Sequence, residues 1–257
     1  MEVHVGIVRM SLVSIALVAV VTSTAMSAQA PAPAQGGRGG RGGGGRQAPA
    51  TLVLKVEWRA IPGLTGTRPG VPDQVAVQQG HVTDPNVELR QYGAAAKLLT
   101  ANGDPSSVWS GEVDAPFAVT FHRKDNFLDL TGNAKIRWVT KTSGFHVVRP
   151  VLKLADGTLM VGDYTSMNVP MLASTEFPIA TIRWVKLDPM RVVTVSSPGN
   201  SNNEIWVQNP DLSKVEEVGF ADLMPASGHG TGGYIQLGTI EVYGRLVPNV
   251  GAGENGK

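Results

Sequence analysis

Six side chains in this sequence are of types that hold a small polar ligand: Arg137, His146, Arg149, Asp163, Tyr164 and Trp206. Arginine and histidine donate hydrogen bonds and aspartate accepts them. Tyrosine and tryptophan offer flat apolar faces with a polar edge. None of the six sits in a catalytic signature. The G-x-S-x-G elbow, the H-E-x-x-H helix and the P-loop are all absent. There is no cysteine, hence no thiolate metal site and no thiol nucleophile. His229 has no second histidine at ligand spacing. A structural calcium needs only carboxylate and carbonyl oxygens, but no motif supports one, so no cofactor is expected.

The elements that position these residues read as β-strands. Strands are expected at 52–58, 87–92, 117–122, 127–130, 135–141, 145–154, 158–161, 181–187, 191–195, 204–208, 215–220 and 234–243. They are rich in β-branched and aromatic residues and separated by Gly, Asn, Asp or Pro. Only 94–100 looks helical. Ala155-Asp156-Gly157-Thr158 is a hairpin turn, Thr142-Ser143-Gly144 a second turn, and Gly238 marks a bulge. Pro150 makes its strand an edge or kinks it. Many short strands at this spacing predict an all-β sandwich or barrel.

Alternation along each strand then sets the faces. If Ile136 and Trp138 point into the core, Arg137 points outward, either into solvent or onto a ligand face. Arg149 sits among apolar neighbours and needs a partner, either a carboxylate of the protein or a ligand group. His146 reads as a hydrogen-bonded structural residue or as a contact. Asp163 and Tyr164 end a strand, as a ligand contact or as an ordinary loop pair. Trp206 is a stacking platform if Ile205 and Val207 are core. If Trp206 is core instead, Glu204 and Gln208 turn inward with it. Trp58, Trp109, Trp138 and Trp184 read as core.

Composition bounds the rest. Residues 1–30 carry a charge at Arg9, an apolar run over 12–21 and small residues over 23–30, the order of an export signal cleaved within 25–30. Residues 31–50 have no apolar side chain larger than Ala or Pro and read as a disordered Gly/Arg/Pro/Ala linker. One domain is expected over 51–247, followed by a flexible tail at 248–257. The expected location is secreted or periplasmic, with no membrane span once the signal is removed. Twenty-two basic and 21 acidic residues give a net charge of +1, which provides no field for nucleic acid.

The C-terminal pattern resembles a known group. Asp129-Leu130-Thr131-Gly132 precedes KIRWVTK, Glu176-Phe177-Pro178 precedes IRWVKLD, and DLSKVEEVGF precedes a closing IEVYG. Over about half the chain this resembles the complex I intermediate-associated proteins and the family 11 carbohydrate-binding modules. The resemblance implies a jelly-roll β-sandwich of the galactose-binding-like type. It also implies a non-catalytic domain that binds a glucan-like polysaccharide or oligosaccharide on a concave sheet. A sugar-active hydrolase or lyase on the same scaffold is the alternative. It needs two facing carboxylates, and Glu57, Glu88, Glu112, Glu176, Glu204 and Glu241 are scattered with no spacing rule to pair them. A structural or protein-interaction domain is the third reading.

Overall fold

The computed structural model describes residues 49–111, 113–167, 169–223 and 233–249. The chain divides into two units, 1–45 and 46–257, and all the described residues belong to the second. The expected signal, most of the linker, Glu112, His229 with most of its glycine-rich loop, and residues 250–257 lie outside the described residues.

Sixteen strands carry the fold: β1 (Thr51–Val56), β2 (Val87–Tyr92), β3 (Thr100–Gly103), β4 (Ser106–Trp109), β5 (Phe117–Arg123), β6 (Asn126–Asp129), β7 (Lys135–Ser143), β8 (Arg149–Leu154), β9 (Leu159–Gly162), β10 (Ala173–Pro178), β11 (Trp184–Lys186), β12 (Ser196–Ser197), β13 (Asn200–Glu204), β14 (Trp206–Val207), β15 (Val215–Asp222) and β16 (Tyr234–Pro248). Every pairing between them is antiparallel. One sheet runs β10-β7-β16, with β1 and the β3–β4 hairpin on the far side of β16. The other runs β2-β5-β15-β8-β9-β11-β14. β16 passes between them, pairing with β7 through Tyr243 and with β6 from Arg245 on. This is an all-β sandwich, as the strand spacing predicts.

Alternation builds the core between the sheets. In β7, Ile136, Trp138, Thr140 and Thr142 are buried and Arg137 is exposed. Trp138 packs edge-on to Phe177 at 4.7 Å, and Trp58 edge-on to Phe121 at 5.8 Å. Trp58, Trp138 and Trp184 are core as expected. Trp109 is not. It is half-exposed and packs edge-on to Tyr234 at 5.9 Å, because alternation along β4 gives the core face to Val108.

A second cluster covers the outer face of the second sheet. Ala118, Val151, Leu159, Val161, Val185 and Ala221 are buried there beneath Leu187 and Val192. Val192 comes from the segment where a strand was expected at 191–195. The chain turns instead, with Val192 N–H on the Asp188 carbonyl and Val192 at φ +55°. A β-branched residue rarely adopts that conformation, and burial of its side chain offsets the cost.

Two turn expectations hold in detail. Gly157 takes φ +86° in the β8–β9 turn, where Asp156 Oδ1 accepts from Thr158 N–H at 2.8 Å. The β16 register slips between Leu237 and Ile240, around Gly238. Pro150 needs a correction. β8 is interior, flanked by β15 and β9, but it begins at Arg149, so Pro150 sits at the strand's start, where a missing N–H is tolerated. The 94–98 segment is a short 3-10 helix. The β3–β4 and β12–β13 hairpins and β10 carried no apolar alternation strong enough to be expected.

Candidate functional site

Three neighbouring strands place the polar side chains. The β8–β9 register, continued one pair past Val151↔Val161 and Pro150, sets Arg149 opposite Asp163. Asp163 N–H bonds the Arg183 carbonyl at 2.9 Å, so Arg183 lies opposite Asp163 in turn. All three share the outward face with Val151, Val161 and Val185. In the next row Val185 pairs with Trp206. Arg149, Asp163 and Trp206, three of the six expected residues, therefore converge on one margin of the second sheet, and Arg183 joins them.

The contacts within this row are specific. Asp163 Oδ2 accepts from Arg183 Nε at 2.8 Å and Oδ1 from Arg183 N–H at 3.0 Å. Burial pushes the Asp163 carboxyl up, but these bonds and the Arg183 charge outweigh it, and the pKa falls below the ordinary 3.8. The Arg183 guanidinium carbon lies 4.6 Å over the Trp206 ring, a cation–π contact. Arg149 is half-buried and gives its Nε–H to the Gly162 carbonyl at 2.8 Å. Burial lowers its pKa from the ordinary value, and the charges of Glu204 and Asp163 oppose that shift.

At this margin a cavity of about 820 Å³ opens. Arg183, Trp184 and Trp206 form one wall. The 207–212 segment forms a second, and Leu130 to Gly132 with Ile179 to Ile182 close the third. That volume lies in the range of ordinary ligand sites. Trp184 Nε1 is buried without a hydrogen-bond partner among the described residues. A Cβ placed on Gly162 would meet Trp184 Cζ3 at 3.3 Å, so the ring's N–H edge, across from Cζ3, is turned away from β9. Asp211, on the second wall, is tied by Ser213 Oγ–H and N–H, which hold its carboxyl below the ordinary range.

The other three expected residues stand apart. Arg137 lies on the outer face of the first sheet, bonded to Glu241 and to Tyr243 Oη. Its register row runs Glu176, Arg137, Glu241, Lys55, an alternation of charge across four strands. Beside it is a smaller cavity of about 250 Å³ that includes Glu57 and Glu241. His146 is buried with its Nδ1 2.6 Å from Asp222 Oδ2, which places it in the structural role the sequence allowed. Tyr164 stacks on Phe177 with centroids 3.9 Å apart and joins the core's edge, so one of its ring faces is already taken.

Sequence reasoning missed Arg183, the residue that ties Asp163 to Trp206. Its strand was read, but its outward parity next to Trp184 was not used. It also missed Glu217, which is fully buried on the second sheet. Glu217 accepts from Tyr92 Oη at 2.7 Å, from Thr120 Oγ1 and from Lys153 Nζ at 3.1 Å. Burial, then the Glu217 hydrogen bond and charge, raise the Tyr92 pKa. The signal was two adjacent glutamates inside an apolar strand. Three donors satisfy Glu217 internally, as a buried carboxylate requires. Among the described residues, no group of three or more His, Asp or Glu is placed to hold a metal ion, and no helix is long and apolar enough to cross a membrane.

No family model and no curated protein matches this sequence. Among solved structures, the family 11 carbohydrate-binding module of the cellulosomal cellulase Lic26A-Cel5E of Clostridium thermocellum is similar over 69% of this chain and 91% of its own, at 12% identity and a TM-score of 0.35. A family 11 module of the same organism, in complex with a β-1,3-1,4-mixed-linked tetrasaccharide, is similar over 74% of this chain and 96% of its own, at 11% identity and a TM-score of 0.36. PfGH50B is similar over 68% of this chain at 11% identity and a TM-score of 0.37, and the match spans 24% of its own length. The sandwich assignment rests on the strand pairing itself.

Proposed function

We propose that this chain is an exported, non-catalytic carbohydrate-binding domain that holds a glucan-like polysaccharide in the cavity beside Trp206. The observation that carries this reading is the wall formed by Trp206 and Arg183 with Asp163 behind it. An indole offers an apolar face to sugar C–H groups, and a sugar stacking on Trp206 takes the place of the Arg183 guanidinium over that ring. Arginine donors suit sugar hydroxyls, and Arg183 lines the cavity with its Nε–H held by Asp163. The glucan-like class comes from the motif resemblance, and export from the order of residues in 1–30. The coincidence of the aromatic, the arginine and the cavity at a sheet margin supports a site there.

The hydrolase alternative has one observation in its favour: Glu57 and Glu241 line one cavity. The chemistry runs against it. Burial pushes Glu241 up, but hydrogen bonds from Tyr243 and Arg137 outweigh it and hold the carboxyl below 4.5, the wrong direction for a general acid. Glu57 is engaged by Lys55 at 2.6 Å.

A glycan array probed with the full chain, run beside a reducing-sugar release assay on the same polysaccharides, tests the reading. Binding without release supports it. Release overturns it in favour of the enzyme, and neither signal shifts the weight to a protein partner.

A further inference from the structure

The cavity beside Trp206 does not end at its second wall. A further cavity of about 260 Å³ lies across that wall, lined by Leu154, Asp156, Thr158 and Lys214. The two share Val207, Gln208, Asn209, Pro210 and Asp211. These five residues form a ridge between two depressions.

The ridge is rigid. Asn209 holds φ +47°, a region that asparagine tolerates better than most residues, and Pro210 fixes its own φ. Leu212 N–H closes onto the Pro210 carbonyl at 2.9 Å, and Asp211 Oδ1 accepts from Ser213 N–H at 3.1 Å. The crest is polar and available. The side chains of Gln208, Asn209 and Lys214 form no hydrogen bond or ion pair among the described residues, and Gln208, Asn209 and Lys214 are exposed. Asp156 uses one oxygen on Thr158 N–H and keeps the other.

From the aromatic wall, the crest of two free amides leads to Lys214 and Asp156, which line the second cavity. Ring stacking serves one unit of a chain molecule, and hydroxyls of the following units meet amides and charges of both signs. We propose that the two cavities are successive subsites for one neutral oligosaccharide laid across the Val207–Asp211 ridge, so that the protein reads chain length. This rests on the carbohydrate-binding reading above. Because the ridge is preorganised, little ordering cost offsets the added contacts.

The test is calorimetric titration of the full chain with two oligosaccharide series, β-1,3-1,4-mixed-linked glucan and agarose fragments, from two to six units. We expect affinity to rise about tenfold or more between the disaccharide and the tetrasaccharide of one series. The double variant Asp156→Asn/Lys214→Ala, at two residues that line the second cavity alone, should cancel that rise and leave disaccharide binding unchanged. Affinity independent of length, or a double variant that weakens both lengths alike, overturns the two-subsite proposal and leaves the first cavity standing. Failure of every oligosaccharide to bind, with the chain folded by circular dichroism, overturns both the proposal and the reading beneath it.

Discussion

Replacing Trp206 by alanine separates a binding wall from a packing residue. The ring does two things in the free protein: it packs on the second cluster around Val185, and it carries the Arg183 guanidinium at 4.6 Å. The cation–π contact at an exposed site is worth about 0.5–1 kcal/mol. Trp206 is only half-buried, so the packing loss is a fraction of the roughly 3–5 kcal/mol of a fully buried tryptophan. On the ligand side, stacking contributes about 0.5–1.5 kcal/mol beyond the apolar area covered. A further ~30 Å² of apolar area adds about 0.8 kcal/mol at 25 cal/mol/Å². The sum, about 1.3–2.3 kcal/mol, is a loss of roughly 9- to 50-fold in affinity. Calorimetry on Trp206→Ala and Trp206→Phe reads it, with a thermal melt on each to show that the fold survives. The phenylalanine variant should fall between alanine and the native chain. Unchanged affinity in a folded alanine variant refutes the placement of ligand on this wall.

The remaining expectations concern charge and packing. The Asp163 pKa is lowered in the fold, so its contribution to stability is present above its unfolded value and lost as pH falls through the folded one. Binding should be flat from about pH 5 to 8 and weaken below the ordinary carboxylate range, as protonated Asp163 releases Arg183; Asp163→Asn should remove the acid limb of that profile, and an acid limb that persists counts against the pairing. His146→Ala leaves the buried Asp222 carboxylate without its imidazole partner. It should cost about 1–3 kcal/mol, or a fall in Tm of about 2–4 °C per kcal/mol, with sugar affinity unchanged because the pair is remote from the cavity. A Cβ on Gly219 would meet the Val119 carbonyl oxygen at 1.9 Å, where β15 lies between β5 and β8. Gly219→Ala should therefore yield little soluble protein, and a Tm within 2 °C of native, about 1 kcal/mol, would contradict the strand placement.

Alternation is a local rule, so residues such as Trp138 against Arg137 declared their faces before any tertiary contact was known. Local turn chemistry did the same for Asp156-Gly157 and for the bulge at Gly238. The sequence could also name Trp206, Arg149 and Asp163 as residues of the right types. Their convergence is a property of register. It needs β8, β9, β11 and β14 to lie side by side, so that successive pairings bring Arg149 and Trp206, 57 positions apart, to one margin. The same dependence moved Arg137, His146 and Tyr164 elsewhere, each satisfied by a partner distant in sequence: Glu241, Asp222 and Phe177. It also hid Arg183, whose value lies in touching Asp163 and Trp206 at once. The sequence by itself determined which side chains alternate and where the chain turns, because those depend on a residue and its near neighbours. Only the tertiary structure decided which of them share a cavity, because strand order is set by burial summed over the whole sandwich.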